Sequence, residues 1–504
     1  MVLPEKITQW QRARATAKRR RAGRKGAVSR KGATGRKSAA SCFVWLAFGV
    51  WAAGCAHYHA APLEPARSAE TFAARRLAEF KLPDELAPLM PQAAAAWPPR
   101  EWDRALLLAV ALTQNPQLAV ARAQVKAALS HEITAAQPPE PDLTLQSEYA
   151  RHDSHPWLYG ISVNWLLRSP ERRRLDREIA GLDTGNARLQ LMDDAWAVRS
   201  ALAAALSEWE GGRRRLNLLE RLAAAQDRLL ALERQRVDAG EDAPAELLAA
   251  QQARIQIEQQ QTDLHETVDA AQAAAAKALG LPPQALDGVD LSWPDWGEPP
   301  LLDAAAQREA REQALLSRAD LGVAIGQYAS AEAKLKLAIA RQYPQFELSP
   351  GYYWDHGIAK FPFDVGFTLP FNRNEGEIAE ARAGRELAGA RMLALQAEIY
   401  GRIVAAERAE SIARAAGDAA LRQLEAARRQ ERQASLSLRV GATGVEEQVG
   451  ASILALRAEL ELVQMRARVQ DARNGLEDVL HEPLSGPELA LAKPMSSIAA
   501  GAGR

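Results

Sequence analysis

The sequence repeats itself at a nearly constant interval, and this duplication limits the possible folds more than any other feature. Leu118 begins the segment LAVA, and Leu321 begins the matching segment LGVA 203 positions later. Near the ends of the two copies, Pro282 and Pro483 are 201 positions apart. Self-similarity at a fixed period indicates a repeated structural unit, here of about 200 residues. The small drift allows only short deletions in loops, so both halves should share one plan.

Each half is predicted to contain a helix, two strands, a long helix and a return helix. The first repeat spans 101–295 and the second spans 301–483. Their first helices are expected at about 102–136, with a break near Asn115, and at about 303–340. Proline-bearing segments should end both helices, because the residue before a proline is biased away from α geometry.

After each first helix, the hydrophobic pattern changes from a helical period to strict alternation. Strands are predicted at about 142–150 and 158–167, and again at about 345–354 and 362–371. Alternation indicates strands with one apolar and one polar face, and strands of about nine residues can cross a membrane at a tilt. Because an open sheet edge is not tolerated in lipid, closure should come from other copies of the chain. A half-buried sheet in a soluble protein is the alternative.

The stretches that follow the strands are too long for a compact domain. Proline-free helices are predicted from Glu171 to Ala239 and from Glu375 to Val440. At 1.5 Å per residue, about 65 residues make a rod of about 100 Å. The return helices carry apolar residues at heptad spacing, which predicts antiparallel coiled-coil packing. These residues are Ala250, Ile257, Leu264 and Ala271 in the first half and Ile453, Leu460 and Ala467 in the second.

The N-terminal residues are typical of a secretory signal. A basic stretch precedes an apolar run from Phe43 to Ala53, which is too short to span a bilayer. The small residues before Cys55 resemble a lipobox, and Ala56 after it favours sorting to the outer membrane. Residues 1–54 are therefore predicted to be a signal peptide, with a translation start that could lie further downstream. A plain signal peptide with a chance cysteine is the alternative.

Two segments flank the repeats. Residues 55–100 are rich in alanine and proline and are predicted to form an N-terminal periplasmic strap. Residues 484–504 are predicted to be a disordered tail.

Taken in this order, and twice over, these features resemble the TolC family of outer-membrane efflux ducts. The motifs that carry the resemblance are NPQL at 115–118, RADL at 318–321, RVDAG at 236–240 and ALGLPP at 278–283. The family implies a mainly α fold with membrane β, in which a homotrimer forms a 12-stranded outer-membrane β-barrel on a long α-helical periplasmic tunnel. The lipobox makes the chain similar to the acylated subgroup of resistance-nodulation-division type tripartite systems. The implied partners are a periplasmic adaptor, an inner-membrane efflux pump and outer-membrane lipid.

The resemblance also implies passive conduction with a gate at the helix tips. Acidic residues just after the tip turn line the constriction in this family, and the matching positions are Glu246 and Glu447. One turn after Glu447, where the family pattern can place a second acid, this chain has Gly450, and Glu446 could substitute for it. Ordinary solvated acids at a helix N-terminus, favoured by the helix dipole, are the alternative. Candidate contacts between tips or with the adaptor are Arg236, Asp238, Gly240, Glu241, Asp242, Arg439 and Gly441.

Other classes of function receive little support from the sequence. Formal net charge is zero, which does not favour a nucleic-acid partner. No catalytic motif is present, so the chain is not expected to be an enzyme, and the covalent lipid on Cys55 is the only prosthetic group expected. The loop histidines His152, His155 and His356 lack a third metal ligand at fixed spacing and are interpreted as exposed polar residues. A structural coiled-coil periplasmic lipoprotein and a periplasmic adaptor subunit remain as alternatives, and neither explains the duplicated strands.

Overall fold

The computed structural model describes residues 58–82, 88, 90, 99–241 and 243–491. The chain divides into two compact units, Met1–Pro65 and Ala66–Arg504, and the fold below is that of the second unit. The predicted signal peptide 1–54 and the predicted lipidation site Cys55 lie outside the described residues. Within the predicted strap, helix α1 spans Pro65–Ala73, so this segment is not irregular throughout.

Both halves pass through the same order of element types: two helices, strands, a long helix and a return helix. The first half contains α2 (Arg104–Gln114), α3 (Pro116–Ala136), β1 (Asp142–Tyr149), β2 (Trp157–Leu167), α4 (Pro170–Asp238) and α5 (Pro244–Leu279). The second contains α6 (Ala304–Ser317), α7 (Ala319–Ala340), β3 (Phe346–Asp355), β4 (Ile358–Lys360), β5 (Phe363–Phe367), α8 (Glu375–Arg439) and α9 (Val445–Leu480).

The break between the first two helices of each half has a local cause in one half only. Asn115 accepts hydrogen bonds from the backbone N–H groups of Gln117 (2.8 Å) and Leu118 (3.4 Å), so it caps α3. In the second half, the predicted continuous helix 303–340 is wrong, because it is interrupted at Arg318. The Arg318 side chain is buried and donates to the backbone carbonyl of Val479, a tertiary contact that anchors the break.

The last predicted strand, 362–371, differs from the structure. Within that range only β5 is a strand, and a second short strand, β4, precedes it; Pro362 between the two has no N–H to give to the sheet. β5 ends at Phe367, because its partner β3 begins opposite at Phe346 and offers nothing further to pair with.

The long helices and their return helices pack as the heptad pattern predicts. Ala250, Ile257, Leu264 and Ala271 are buried on α5. Ile453 and Ala467 are buried on α9, and Leu460 is partly buried against the core. α4 with 69 residues and α8 with 65 residues are each about 100 Å long at 1.5 Å per residue. None of the helices in the described part of the chain has a stretch long and apolar enough to cross a bilayer.

The largest core surrounds α2, which is buried on all sides from Arg104 to Leu112. The segment after Pro483 takes part in this core, so the predicted disordered tail 484–504 is wrong for residues 484–491. Leu491 is completely buried in the core, and the buried carboxylate of Glu488 pairs with Arg199 of α4. Residues 492–504 lie outside the described part.

The C-terminus of α5 docks against the break between α2 and α3 through Gly280. Gly280 has φ +73°, and a Cβ there would lie 2.4 Å from the carbonyl oxygen of Gln114. Gly280→Ala should therefore destabilise the fold through left-handed strain of about 1–2 kcal/mol together with overpacking of about 1–3 kcal/mol. Gly288→Ala is the matched control, because Gly288 has φ +71° and open space around it. Thermal unfolding should show the larger loss for Gly280→Ala; equal losses would mean that the close approach is unimportant.

Candidate functional site

The strands of both halves join in one antiparallel sheet. β2 pairs with β1 on one side and with β3 on the other, and β3 also pairs with β4 and β5. The register places Leu145 opposite Ile161, and Ile161 opposite Tyr352. Because directly opposite residues share a face, this register decides which side chains line each surface of the sheet.

One face of the sheet is apolar and exposed. Its residues alternate along every strand, and the register makes them one continuous surface across both halves. They are Leu143, Leu145, Tyr149, Trp157, Tyr159, Ile161, Trp165, Leu167, Phe346, Tyr352, Phe363, Val365 and Phe367. A contiguous exposed apolar patch of this kind indicates a binding partner or a membrane.

The opposite face is polar and carries more acids than bases, since Lys360, paired with Asp355, is the one basic side chain that the strand register places there. The register places the following polar side chains on it: Asp142, Thr144, Gln146, Glu148, Ser162, Asn164, Glu347, Ser349 and Asp364. Gly160 on the same face makes room for the ring of Tyr353, because a Cβ at Gly160 would lie 2.1 Å from that ring. This surface suits contact with water and would attract cations.

The sheet has two free edges within the described residues. β1 pairs only with β2, and on the far side β4 and β5 pair only with β3. The predicted strands therefore share one sheet, and that sheet by itself does not close on itself.

The two helix tips use the same turn. Gly240 has φ +75° and Gly441 has φ +73°, a left-handed conformation that glycine adopts without a Cβ penalty. The N–H of Glu241 donates to the carbonyl of Arg236 at 2.9 Å, and the N–H of Ala442 donates to the carbonyl of Ser437 at 2.9 Å. These bonds close the ends of α4 and α8 in the same manner.

An ion pair joins the two tips. Arg236, in the last turn of α4, donates to the carboxylate of Glu446, in the first turn of α9. The sequence identified both residues as candidates but not as partners, since 210 positions separate them. Glu446 is therefore engaged with Arg236, whereas Glu246 and Glu447 are exposed.

The remaining tip candidates are surface residues. Asp238, Glu241 and Arg439 are exposed, and Asp242 lies outside the described residues. Arg439 forms no ion pair with a described residue, so the two tips are not electrostatically equivalent.

The histidines of the strand loops lie close together but hold no compact metal-ligand set within the described residues. The Nδ1 of His356 lies 2.7 Å from the carbonyl oxygen of His155 and 3.6 Å from a carboxylate oxygen of Asp153. The Nε2 of His356 lies 3.7 Å from the Asp355 carboxylate.

A buried charge cluster that the sequence did not indicate links α4, α9 and the C-terminal segment. Arg199 is 1% exposed, Glu477 0% and Glu488 3%. The guanidinium donates to both carboxylates, at 2.6 Å from its Nη2 to Glu488. Burial by itself would lower the pKa of Arg199, but the charges of Glu488 and Glu477 raise it. Glu477 also accepts from the N–H of Leu484 at 3.0 Å.

Residues 107–281 match the family model described as outer membrane efflux protein. The matched segment, about a third of the chain, is an outer membrane efflux protein domain. This confirms the resemblance that the motifs NPQL and ALGLPP indicated. NPQL at 115–118 lies within the matched range, and ALGLPP at 278–283 crosses its end. The search of curated proteins found no match to this chain.

Several solved outer-membrane channels share the fold of this chain. The outer-membrane channel OprN has a TM-score of 0.63 at 19% identity, covering 84% of this chain and 98% of that one. The outer membrane protein VceC from Vibrio cholerae has a TM-score of 0.61 at 16% identity, covering 75% and 96%. The open state of the MtrE outer membrane channel from Neisseria gonorrhoeae has a TM-score of 0.61 at 16% identity, covering 76% and 89%.

Proposed function

We propose that this protein is the outer-membrane channel of a tripartite efflux pump and passively conducts small molecules or metal ions to the exterior. The observation that carries the proposal is the two-faced sheet with free edges. An apolar outer face, a polar inner face and the lengths of β1, β2 and β3 (8, 11 and 10 residues) are the properties of a transmembrane β-barrel with a wet lumen.

A homotrimer would resolve the free edges. A bilayer does not tolerate unpaired backbone groups, so β1 of one copy must pair with β4 and β5 of the next. With β4 and β5 counted as one interrupted strand, three copies would then close a 12-stranded barrel, with the strand loops outside the cell and the helices in the periplasm.

Exposed apolar residues along α8 support assembly of the helices as well. They recur over most of its length, and a monomer would leave them in water. They are Leu387, Leu393, Tyr400, Ile412, Leu421 and Leu436. In the trimer, these residues would pack against a neighbouring copy and form the wall of the periplasmic tunnel.

The helix tips would form the gate and the docking site for the periplasmic adaptor, which connects the channel to the inner-membrane pump. Glu246 and Glu447 follow the tip turns and are free of the Arg236 ion pair, so they remain the candidates for a ring of carboxylates at the constriction. The lipid proposed at Cys55 would add an outer-membrane anchor to the barrel.

The carboxylates of Glu246 and Glu447 make the channel prefer cations to anions. Removing the charge at Glu447 or Glu246 takes three carboxylates from a trimeric ring, each worth about 1 kcal/mol to a nearby cation in water, or about fivefold in local cation concentration. Glu447→Gln and Glu246→Gln should therefore lower the cation preference, measured as the reversal potential in a salt gradient across a planar bilayer. Glu312→Gln, an exposed acid on α6, is the control.

Each outcome of the bilayer measurement is informative. If only Glu447→Gln and Glu246→Gln reduce the reversal potential, the result supports both the channel function and the assignment of the gate residues. If the protein conducts but neither Glu447→Gln nor Glu246→Gln changes the reversal potential, the channel function is supported and the assignment of the gate residues is contradicted. A purified chain without conductance contradicts the channel and favours a structural coiled-coil lipoprotein.

A further inference from the structure

Three potential metal ligands from both halves of the chain meet where α4 passes the start of α7 and the end of α9. Asp193 lies on α4, Asp320 lies in the first turn of α7, and His481 follows the last residue of α9. One carboxylate oxygen of each aspartate and one imidazole nitrogen all lie within 4.8 Å of one another. All three side chains are half-buried, and the group lies far along the helices from the tips.

Two of the three ligands have no other hydrogen-bonding role. No described residue hydrogen-bonds the Asp193 carboxylate or the ring nitrogens of His481. Half-buried polar groups without a protein partner cost free energy unless something else satisfies them, and a cation is the partner that an imidazole and a carboxylate share.

Neighbouring side chains hold two of the ligands in place. Arg318 donates to both oxygens of Asp320, at 2.9 Å from Nε to Oδ1 and 2.7 Å from Nη2 to Oδ2. Oδ1 also accepts from the N–H of Leu321 at 2.8 Å, so the lone pair left for a cation is on Oδ2. The indole of Trp196 stacks on the His481 ring, with the ring centroids 5.3 Å apart. Support of this kind around the ligands is characteristic of metal sites in proteins.

The same places in the first half carry no ligands. By the internal repeat, Gln117 occupies the position of Asp320, and Gly280 occupies the position of His481. Both cap residues are left-handed, with φ +73° at Gly280 and φ +53° at His481. A histidine thus stands where the backbone favours glycine, and it brings an imidazole to the two aspartates.

We propose that Asp193, Asp320 and His481 bind one divalent transition-metal cation of the Zn²⁺ class, which fastens the first half of the chain to the second. One imidazole and two carboxylates suit such a cation better than Mg²⁺ or Ca²⁺, which prefer oxygen ligands. A tetrahedral ion at about 2.1 Å from each ligand holds them about 3.4 Å apart, so small side-chain rotations complete the site. Water fills the fourth position.

The local charges are compatible with a cation. Four carboxylates, those of Asp193, Asp194, Asp320 and Asp478, lie around the cluster with two guanidinium groups, those of Arg318 and Arg402. Arg318 is committed to Asp320 and Val479, and the nearby Arg402 pairs with Asp478 at 3.3 Å.

The test is titration of the full-length, detergent-purified protein with Zn²⁺ after removal of metal with a chelator. Isothermal titration calorimetry should show one site per chain, and Co²⁺ should give the visible absorption of a tetrahedral nitrogen–oxygen site. His481→Gly should abolish this site, and Asp193→Asn should weaken it at least tenfold. His481→Gly places at this position the residue that the first half already uses, so it should fold normally.

His265→Ala is the control. The ring of His265 lies on the exposed surface of α5 against the Gln261 carbonyl, so this variant should bind Zn²⁺ as the unmodified protein does. Unchanged stoichiometry and affinity in folded His481→Gly would overturn the proposal, as would absence of Zn²⁺ binding to the unmodified protein. The outcome is separate from conduction, because binding is measured without a membrane current.

Discussion

Arg236→Ala should shift the channel towards an open state, with an open-to-closed ratio about tenfold higher than that of the unmodified protein. The Arg236–Glu446 ion pair joins the end of α4 to the start of α9, so the tips cannot separate without breaking it. Both side chains are 38% exposed, which places the pair in the range of about 0.2–1 kcal/mol measured for exposed ion pairs. A trimer that opens symmetrically breaks three such pairs, for a total of about 1.5 kcal/mol.

Single-channel recordings in planar bilayers measure this ratio directly, and Glu446→Gln should act in the same direction as Arg236→Ala. Arg439→Ala is the matched control, because Arg439 lies at the other tip and forms no ion pair with a described residue. If Arg439→Ala opened the channel as much as Arg236→Ala, loss of positive charge rather than loss of the ion pair would be responsible.

Arg199→Met should produce the largest loss of stability of any single substitution considered for this protein. It leaves the carboxylates of Glu477 and Glu488 buried and facing each other without a cation. Breaking a buried ion pair by removing one partner costs about 3–5 kcal/mol, because the remaining charge is neither solvated nor compensated. The same change releases the segment that ends at the buried Leu491.

Thermal unfolding followed by far-ultraviolet circular dichroism should show this loss as a marked fall in the transition midpoint. Arg428→Ala provides the comparison, since Arg428 forms a 3.1 Å pair with Glu459 on the surface, and such pairs are worth about 0–1 kcal/mol. Equal shifts for Arg199→Met and Arg428→Ala would show that the buried cluster contributes no more than a surface pair.

Features that depend on neighbours in sequence could be read from the sequence. Alternation with a period of two assigned the faces of β1 and β2, since it follows from strand geometry alone. The heptad spacing identified the buried positions Ile257 and Leu264 for the same reason. The capping side chain of Asn115 and the proline after it marked the break between α2 and α3.

Features that depend on distant contacts could not be read in this way. The break at Arg318 is anchored by the carbonyl of Val479, 161 positions away. The ordered segment up to Leu491 depends on the Arg199–Glu488 pair, which joins positions 289 apart. The split between β4 and β5 is different, because Pro362 was visible in the sequence and signals an interrupted strand.

The gate and the proposed cation site show the same limit. The family resemblance implied Glu246 and Glu447 as gate candidates after the tip turns, but the partnership of Arg236 with Glu446 required the two tips to be placed side by side. The replacement of glycine by His481 at a repeated position was the one local sign of the cation site.

Closure of the sheet by neighbouring copies is the central claim, and cysteine cross-linking in isolated outer membranes tests it most directly. One cysteine is placed on β1 at Thr144 and one on β5 at Asp364 of the same chain, with Cys42 and Cys55 left in place. β2 and β3 separate these edges by about 14 Å within one chain, too far for an internal disulfide. The account predicts a ladder of one, two and three covalently joined chains that ends at three, with residues along β5 scanned to match the register. Absence of cross-linked products at every position, or a ladder that continues beyond three chains, would contradict it.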